Sequence, residues 1–124
     1  IINGQGMDAW SDQMMAGRFF DGVLKAEVWD WYQKQQASAD GDTVLALLRT
    51  LVGADLSNQL AEISAPALLM HPDSSPFVPV PVMADLYEKI PNARLKVFPG
   101  AKHGMPFSHA QECSRTLRTF LDEI

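Results

Sequence analysis

Apolar side chains in the first half of the chain recur at the three- and four-residue spacing of amphipathic helices. Three groups show this spacing: Met7, Trp10 and Met14; Leu24, Val28, Trp31 and Tyr32; and Val44, Leu47, Leu48 and Leu51. We expect three short helices that each bury one apolar stripe, with breaks at Gly22, at residues 39–41 and at Gly53. Asp42 is placed to cap the third helix.

The hydrophobic pattern changes period after residue 63. The apolar run 67–70 lies between Pro66 and Pro72. Because it is too short for a helix, it predicts a strand buried on both faces. A second apolar run at 95–98 predicts another strand, which ends at Pro99-Gly100. A strand, a helix, a second strand and a second helix in this order imply two parallel neighbouring strands joined by a right-handed crossover.

Two helices accompany these strands. The first is predicted to open at Pro79 and Pro81 and to close before Pro91. Ser108, with Gln111 three residues later, forms a capping box that predicts the start of the last helix. The apolar positions are Met83, Leu86, Tyr87 and Ile90 in the first helix, and Cys113, Leu117, Phe120, Leu121 and Ile124 in the second.

Composition divides the chain in the same way. Residues 1–63 carry nine acidic and four basic side chains and no proline, whereas residues 64–124 carry six of each sign and all eight prolines. The first part is therefore expected to be helical and acidic, and the second to consist of short elements separated by turns. We place the boundary between two segments, 1–54 and 55–124, at the end of the third helix.

Charge and cysteine content exclude several classes of protein. The chain of 124 residues has a net charge of −5 and a single cysteine, Cys113. Without a basic stripe it is not expected to bind nucleic acid, and its apolar runs are too short to span a membrane. One cysteine forms no internal disulfide and no multi-cysteine metal cluster, which suits a reducing compartment such as the cytoplasm.

The order of features from residue 55 onwards resembles the carboxyl-terminal end of an α/β-hydrolase. The features are Leu60-x-x-Ile63-x-x-Pro66-x-Leu68, then Pro79, a helix to Ile90-Pro91-Asn92-Ala93, a strand to Gly100-x-x-His103, and a helix that ends at Phe120-Leu121. The acidic helices upstream look like the cap of that family. The resemblance implies a partial α/β-hydrolase fold of class α/β: two parallel strands with flanking helices, preceded by a helical cap segment.

His103 is the main candidate for a catalytic residue. It follows a strand and a Pro-Gly turn and precedes Gly104. This setting presents an imidazole at the carboxyl end of a parallel sheet, where α/β proteins place their sites. In the family that this segment resembles, the histidine takes a proton from a nucleophile and returns it to the leaving group, which suits a side chain with a pKa near neutrality.

Three residues are candidates for the position of the acid that would orient His103: Ser75, Asp73, or a residue that follows an earlier strand. The family's Gly-x-x-Asp turn falls on Pro72-Asp73-Ser74-Ser75, so that Ser75 occupies the position expected for the carboxylate. Asp73, two positions earlier, can serve if the loop carries its side chain round, because the role requires only a carboxylate at the distal imidazole nitrogen. Otherwise Asp73 is a turn residue bonded to nearby backbone. In the third alternative the acid follows an earlier strand outside these residues.

The nucleophile of the family is absent from the sequence. Its Gly-x-Ser-x-Gly elbow requires flanking glycines, and no such pentapeptide occurs. Cys113 falls on the predicted apolar face of the last helix and is interpreted as a core residue. Metal binding is not expected from His71, His103, His109 and Asp73, because no pair of histidines has metal-ligand spacing on one helix face. The 124 residues are therefore expected to be catalytically incomplete.

Two functions follow from these observations. The first is the cap and carboxyl-terminal part of a hydrolase; the resemblance implies that such an enzyme needs no cofactor and acts on a small organic ester, lactone, amide or C–C bond. A branch of the family performs cofactor-free haloperoxidation. The second is a non-catalytic interaction module, because an unpaired strand edge at 67–70 recruits a partner strand. The expected partner is then a second copy of the chain or an amino-terminal half of the fold.

Overall fold

The computed structural model describes all 124 residues. Its α-helices are α1 (Ile2–Arg18), α2 (Ala26–Ala37), α3 (Gly41–Gly53), α4 (Val80–Lys89), α5 (Met105–Ser108) and α6 (Ala110–Asp122). A 3-10 helix covers Ser57–Glu62, and the two strands are β1 (Ala67–Pro72) and β2 (Ala93–Phe98). None of the helices combines the length and hydrophobicity needed to span a bilayer. The chain divides into two compact units, residues 1–16 with 21–55, and residues 17–20 with 56–124.

The first unit contains the three predicted helices, and a polar contact joins α1 to α2. The Ser11 hydroxyl is buried and donates a hydrogen bond to the Gln33 carbonyl at 2.8 Å. The Gln36 amide in turn donates to the Ser11 oxygen at 3.4 Å. Burial of this serine is tolerated because its hydroxyl has partners. The two helices therefore meet partly through polar groups rather than only through the apolar stripes that the sequence predicts.

Helix α3 differs from the sequence prediction in two respects. Its N-cap is Asp40, whose carboxylate accepts from the Thr43 amide at 2.9 Å, so the prediction of Asp42 was wrong. Asp42 lies inside the first turn, where the backbone is already helical and its side chain cannot perform the capping role. Leu47 and Leu51 are 65% and 70% exposed, so the apolar stripe of α3 is not buried. Periodicity identifies an apolar face but not the element that covers it.

The second unit is built on the two predicted strands. β1 and β2 pair in parallel, from Ala67 opposite Ala93 to Pro72 opposite Phe98, which confirms the predicted topology. β1 is two residues longer than predicted, and its apolar run 67–70 is half-buried rather than buried on both faces. The fully buried positions of β1 are its last two, His71 and Pro72.

The helices of the second unit enclose a small core at the carboxyl end of β2. Helix α4 follows the extended backbone of Pro79, as predicted. The predicted capping box was wrong: Ser108 ends α5, and His109 precedes α6 without a side-chain cap. Pro106 in the first turn of α5 favours this additional helical turn because its fixed φ suits a helix start. The core consists of Phe98, Ala101, Met105 and Cys113, with Met70 packed against it.

The last helix is only partly covered. Cys113 and Phe120 are buried, as their place on the predicted apolar face requires. Leu117, Leu121 and Ile124, which share that face in the sequence pattern, are exposed. A small two-stranded sheet covers only part of a 13-residue amphipathic helix.

Candidate active site

The two turns that carry the candidate residues lie side by side. β1 and β2 are parallel and end at the paired residues Pro72 and Phe98, so the segments that follow them leave the same edge of the sheet. The Asp73 amide donates to the Phe98 carbonyl and the Ser74 amide to the Ala101 carbonyl, both at 3.0 Å. These bonds continue the ladder beyond the strands and bring the acid-bearing turn against the histidine loop.

The Asp73 carboxylate is bound to the histidine loop through its backbone. It accepts hydrogen bonds from the amides of Gly100 at 3.0 Å and Ala101 at 3.2 Å, and from the Ser74 hydroxyl at 2.8 Å. The hydrogen bond from Gly100, followed by that from Ser74, lowers the pKa of Asp73 below 3.8. No hydrogen bond joins this carboxylate to the His103 imidazole. In the structure Asp73 therefore fixes the backbone of the turn that leads to His103 and does not contact the imidazole ring through a hydrogen bond.

His103 is exposed, and its ring is oriented by two neighbours. Nδ1 lies 3.5 Å from the Ser75 hydroxyl oxygen. The Phe77 ring meets the imidazole edge-to-face, with centroids 5.0 Å apart and an angle of 84°. The pKa of His103 is lowered below 6.5, first by partial desolvation of the ring and then by the positive charges of Arg18 and His71. A neutral imidazole at pH 7 is the form that can accept a proton.

Ser75 occupies the place opposite Nδ1 that the family resemblance assigns to a carboxylate. Its hydroxyl oxygen accepts hydrogen bonds from the backbone amides of Phe77 and Val78, both at 3.3 Å. This arrangement is a serine turn, in which the side chain closes the loop on its own backbone. The sequence identified the position of Ser75 relative to Pro66, but it carried no signal for the contact between Phe77 and His103.

Close packing around Gly104 fixes the other side of the histidine loop. The Gly104 amide donates to the Arg18 carbonyl at 2.8 Å. A Cβ atom at this glycine would lie 2.2 Å from Cε1 of Phe19, whose side chain is fully buried. Only glycine allows this approach without movement of the phenylalanine. Gly100, with φ +68°, makes the left-handed turn after β2 that directs the chain towards His103.

The other two histidines have separate structural contacts. His71 is buried in β1, and its Nε2 lies 2.9 Å from the Val78 carbonyl oxygen. Nδ1 of His109 lies 2.8 Å from the Ser108 hydroxyl. No group of three or more histidine, cysteine or acidic side chains converges to a geometry that could hold a metal ion.

Comparison with known proteins identifies the fold. No protein-family model matches the chain. A non-heme haloperoxidase of Rhodococcus erythropolis is 36% identical over 69 residues, which are 55% of this chain and 25% of that protein. A pimeloyl-(acyl-carrier protein) methyl ester esterase of Aliivibrio fischeri is 35% identical over 89 residues, 72% of this chain and 32% of that protein. The crystal structure of a bromoperoxidase from Bacillus anthracis superimposes with a TM-score of 0.86 at 24% identity, over 95% of this chain and 45% of that one.

The chain has a partial α/β-hydrolase fold, which confirms the resemblance seen in the sequence. It spans a quarter to a third of the length of these two curated relatives, and under half of the solved structure.

Proposed function

We propose that residues 1–54 are the cap segment and residues 55–124 the carboxyl-terminal core portion of a hydrolase, with His103 as its proton-transfer residue. The substrate class is a small organic ester, lactone, amide or C–C bond. An ester is favoured because one relative is named a methyl ester esterase. The observation that carries the proposal is the exposed imidazole of His103 at the carboxyl edge of two parallel strands, the edge at which α/β proteins bind ligands.

The chemistry assigned to His103 is proton transfer in two directions. The imidazole accepts the proton of a nucleophile as that atom attacks the substrate, and then donates it to the leaving group. The nucleophile and the oxyanion donors come from residues outside these 124, since the sequence has no Gly-x-Ser-x-Gly elbow. No metal or organic cofactor takes part in this scheme. A reducing, cytoplasmic location remains the expectation from the single cysteine.

Asp73 has a positioning role in this proposal. Its carboxylate holds the backbone of Gly100 and Ala101, three and two residues before His103. Because both oxygens are engaged there, Asp73 acts on the imidazole through the turn rather than by a direct hydrogen bond. Loss of this carboxylate is expected to loosen the loop and lower kcat with little change in KM.

The test compares kcat/KM for a p-nitrophenyl ester in the complete protein and its His103→Ala variant. General acid–base catalysis by one side chain contributes about 10²–10⁴-fold, so a loss of at least about a hundredfold is expected. His109→Ala is the matched control, because His109 also lies on this unit but contacts Ser108 instead. A loss below about tenfold for His103→Ala, with folding intact, would refute the assignment.

A second candidate function is an interaction module, favoured by the sheet itself. β1 pairs only with β2, so its other edge has no strand partner in this chain. Such an edge is a template for a strand of a second copy or of an amino-terminal half. Size-exclusion chromatography at micromolar concentration distinguishes the two functions: a stable monomer that binds no amino-terminal half contradicts the interaction module.

A further inference from the structure

The number of hydrogen bonds that the Ser75 hydroxyl can make determines whether it is a donor or an acceptor towards His103. A serine hydroxyl has one O–H donor and two acceptor lone pairs. The Ser75 oxygen already accepts from the Phe77 and Val78 amides at 3.3 Å each. Both acceptor positions are therefore occupied, and the group that remains to face Nδ1 of His103 at 3.5 Å is the O–H hydrogen. A donor opposite Nδ1 requires that nitrogen to be the acceptor.

We propose that Ser75 holds neutral His103 in the tautomer with its proton on Nε2, and that this limits the imidazole as a general base. The inference rests on the proposed function, since it concerns the same proton transfer. Ser75 is a positioning residue, because it acts on the reaction only through His103.

The consequence for catalysis follows from which nitrogen can accept a proton. A carboxylate opposite Nδ1 holds the proton on Nδ1 and leaves Nε2 free to take the proton of the nucleophile. With the Ser75 hydroxyl opposite Nδ1, the tautomer with the proton on Nε2 is favoured, and Nε2 cannot accept the proton of the nucleophile. Reaching the reactive tautomer then requires the hydroxyl to rotate and to give up one of its two backbone hydrogen bonds. Only a fraction of the molecules is competent at any time, and kcat is reduced to that fraction of its value in a fully competent protein.

The turn around position 75 is also suited to a carboxylate. The Phe77 and Val78 amides both point at the side-chain oxygen and would donate equally well to an aspartate. An aspartate oxygen lies about one bond further from the backbone than a serine oxygen, which narrows the 3.5 Å gap to Nδ1. Ser75→Asp is therefore expected to fold and to hydrogen-bond His103 directly, with its negative charge raising the pKa of the imidazole.

The first test reads the tautomer by two-bond ¹H–¹⁵N correlation NMR of the His103 ring above its pKa, in the complete protein. The wild type is expected to carry the proton on Nε2. The Ser75→Ala variant should show a larger fraction of molecules with the proton on Nδ1, and the Ser75→Asp variant should show the Nδ1-protonated form. A merely structural serine would leave this signature unchanged. A wild-type ring protonated on Nδ1, and insensitive to Ser75→Ala, would overturn the proposal and would point to an acid from elsewhere in the protein.

The second test is turnover of the same ester by the same proteins. Replacing an orienting aspartate by a residue that favours the wrong tautomer costs about 10⁴-fold in kcat in a complete triad. Acid–base catalysis by one side chain contributes about 10²–10⁴-fold, and wild-type His103 is expected to supply about a hundredfold of this already, so Ser75→Asp should raise kcat by roughly 10–100-fold. The matched control is Ser74→Asp, which adds the same charge to the same turn but next to Asp73. Equal turnover of Ser75→Asp and wild type, with the Nδ1 form established by NMR, would overturn the claim that the tautomer limits the reaction.

The two proposals fail in different ways. If His103→Ala leaves turnover unchanged, the hydrolase assignment fails, while the NMR spectrum still decides which nitrogen carries the proton. If His103→Ala abolishes turnover but Ser75→Asp neither shifts the tautomer nor raises kcat, His103 keeps its role and the inference about Ser75 fails. In the double variant His103→Ala with Ser75→Asp, the gain is expected to vanish completely.

Discussion

Substitution of Gly104 by alanine tests whether the histidine loop is held by close packing. A Cβ atom at this position would lie 2.2 Å from Cε1, 2.4 Å from Cζ and 2.8 Å from Cδ1 of Phe19. The ring cannot turn away into solvent, because Phe19 is only 1% exposed. The backbone of Gly104, with φ −81° and ψ 20°, is accessible to alanine, so the penalty comes from the contact alone.

The expected destabilisation follows from two opposing effects. Forcing an extra carbon into a packed core costs typically about 1–3 kcal/mol, and an overlap with three ring atoms lies at the upper end. Replacing glycine by alanine also lowers the conformational entropy of the unfolded chain, which raises the free energy of unfolding by roughly 0.4–1 kcal/mol. We therefore expect Gly104→Ala to lower the free energy of unfolding by about 2 kcal/mol.

Urea denaturation followed by circular dichroism measures this change, with two comparison variants. At Gly17 a Cβ atom would meet the Phe77 ring at 2.6 Å, but Phe77 is 43% exposed and can move, so Gly17→Ala should cost less than Gly104→Ala. Gly53→Ala meets nothing within 4 Å and should change stability by less than about 0.5 kcal/mol.

A double-mutant cycle isolates the contact itself. Phe19→Leu removes Cε1 and Cζ, the two ring atoms with the closest overlap, so Gly104→Ala in that background should cost less than in the wild type, with a coupling energy above about 0.5 kcal/mol. Strict additivity of the two changes, or a cost of Gly104→Ala below about 0.5 kcal/mol, would refute the packing argument.

Three further outcomes are expected. Gly100→Ala should destabilise by about 1–2 kcal/mol through its left-handed backbone alone, since a Cβ there meets nothing within 4 Å; an unchanged denaturation midpoint would contradict this. Because partial desolvation, Arg18 and His71 lower the pKa of folded His103 below 6.5, the unfolded chain binds more protons just below that pH. The stability from this shift is complete above pH 6.5 and is lost as the pH falls through the folded pKa. His103→Gln should therefore reduce the slope of the free energy of unfolding against pH in that window, and an unaltered slope would contradict the lowered pKa of His103. Burial, and secondarily Glu112, raises the pKa of the Cys113 thiol, so thiol reagents should label it far more slowly in the native than in the unfolded protein; equal rates would exclude the buried position.

The two strands and helix α4 of the second unit were predictable because their signals are local, whereas α5 and the 3-10 helix were not predicted. The apolar run 67–70 between two prolines has few alternatives to a strand, and the prolines at 79 and 81 define the start of α4. The position of His103 after a strand and a Pro-Gly turn was predictable for the same reason. Its location at the sheet edge then follows from the parallel pairing.

The partners of these residues were not predictable, because they depend on distances between separate turns. Nothing in the sequence indicates that the Asp73 carboxylate reaches the Gly100 amide, or that Phe77 packs against the imidazole. The approach of Gly104 to Phe19 joins residues 85 positions apart, beyond the reach of any local pattern.

The most direct test of the central claim is chemical rescue of the missing imidazole. In the complete protein with His103→Gly, ester turnover is expected to be low and to rise in a saturable way when imidazole is added, after subtraction of the rate with imidazole but no protein. The wild type and a His109→Gly variant should show no such rise. Turnover of His103→Gly within about tenfold of the wild type, without added imidazole, would contradict the assignment of His103 as the proton-transfer residue.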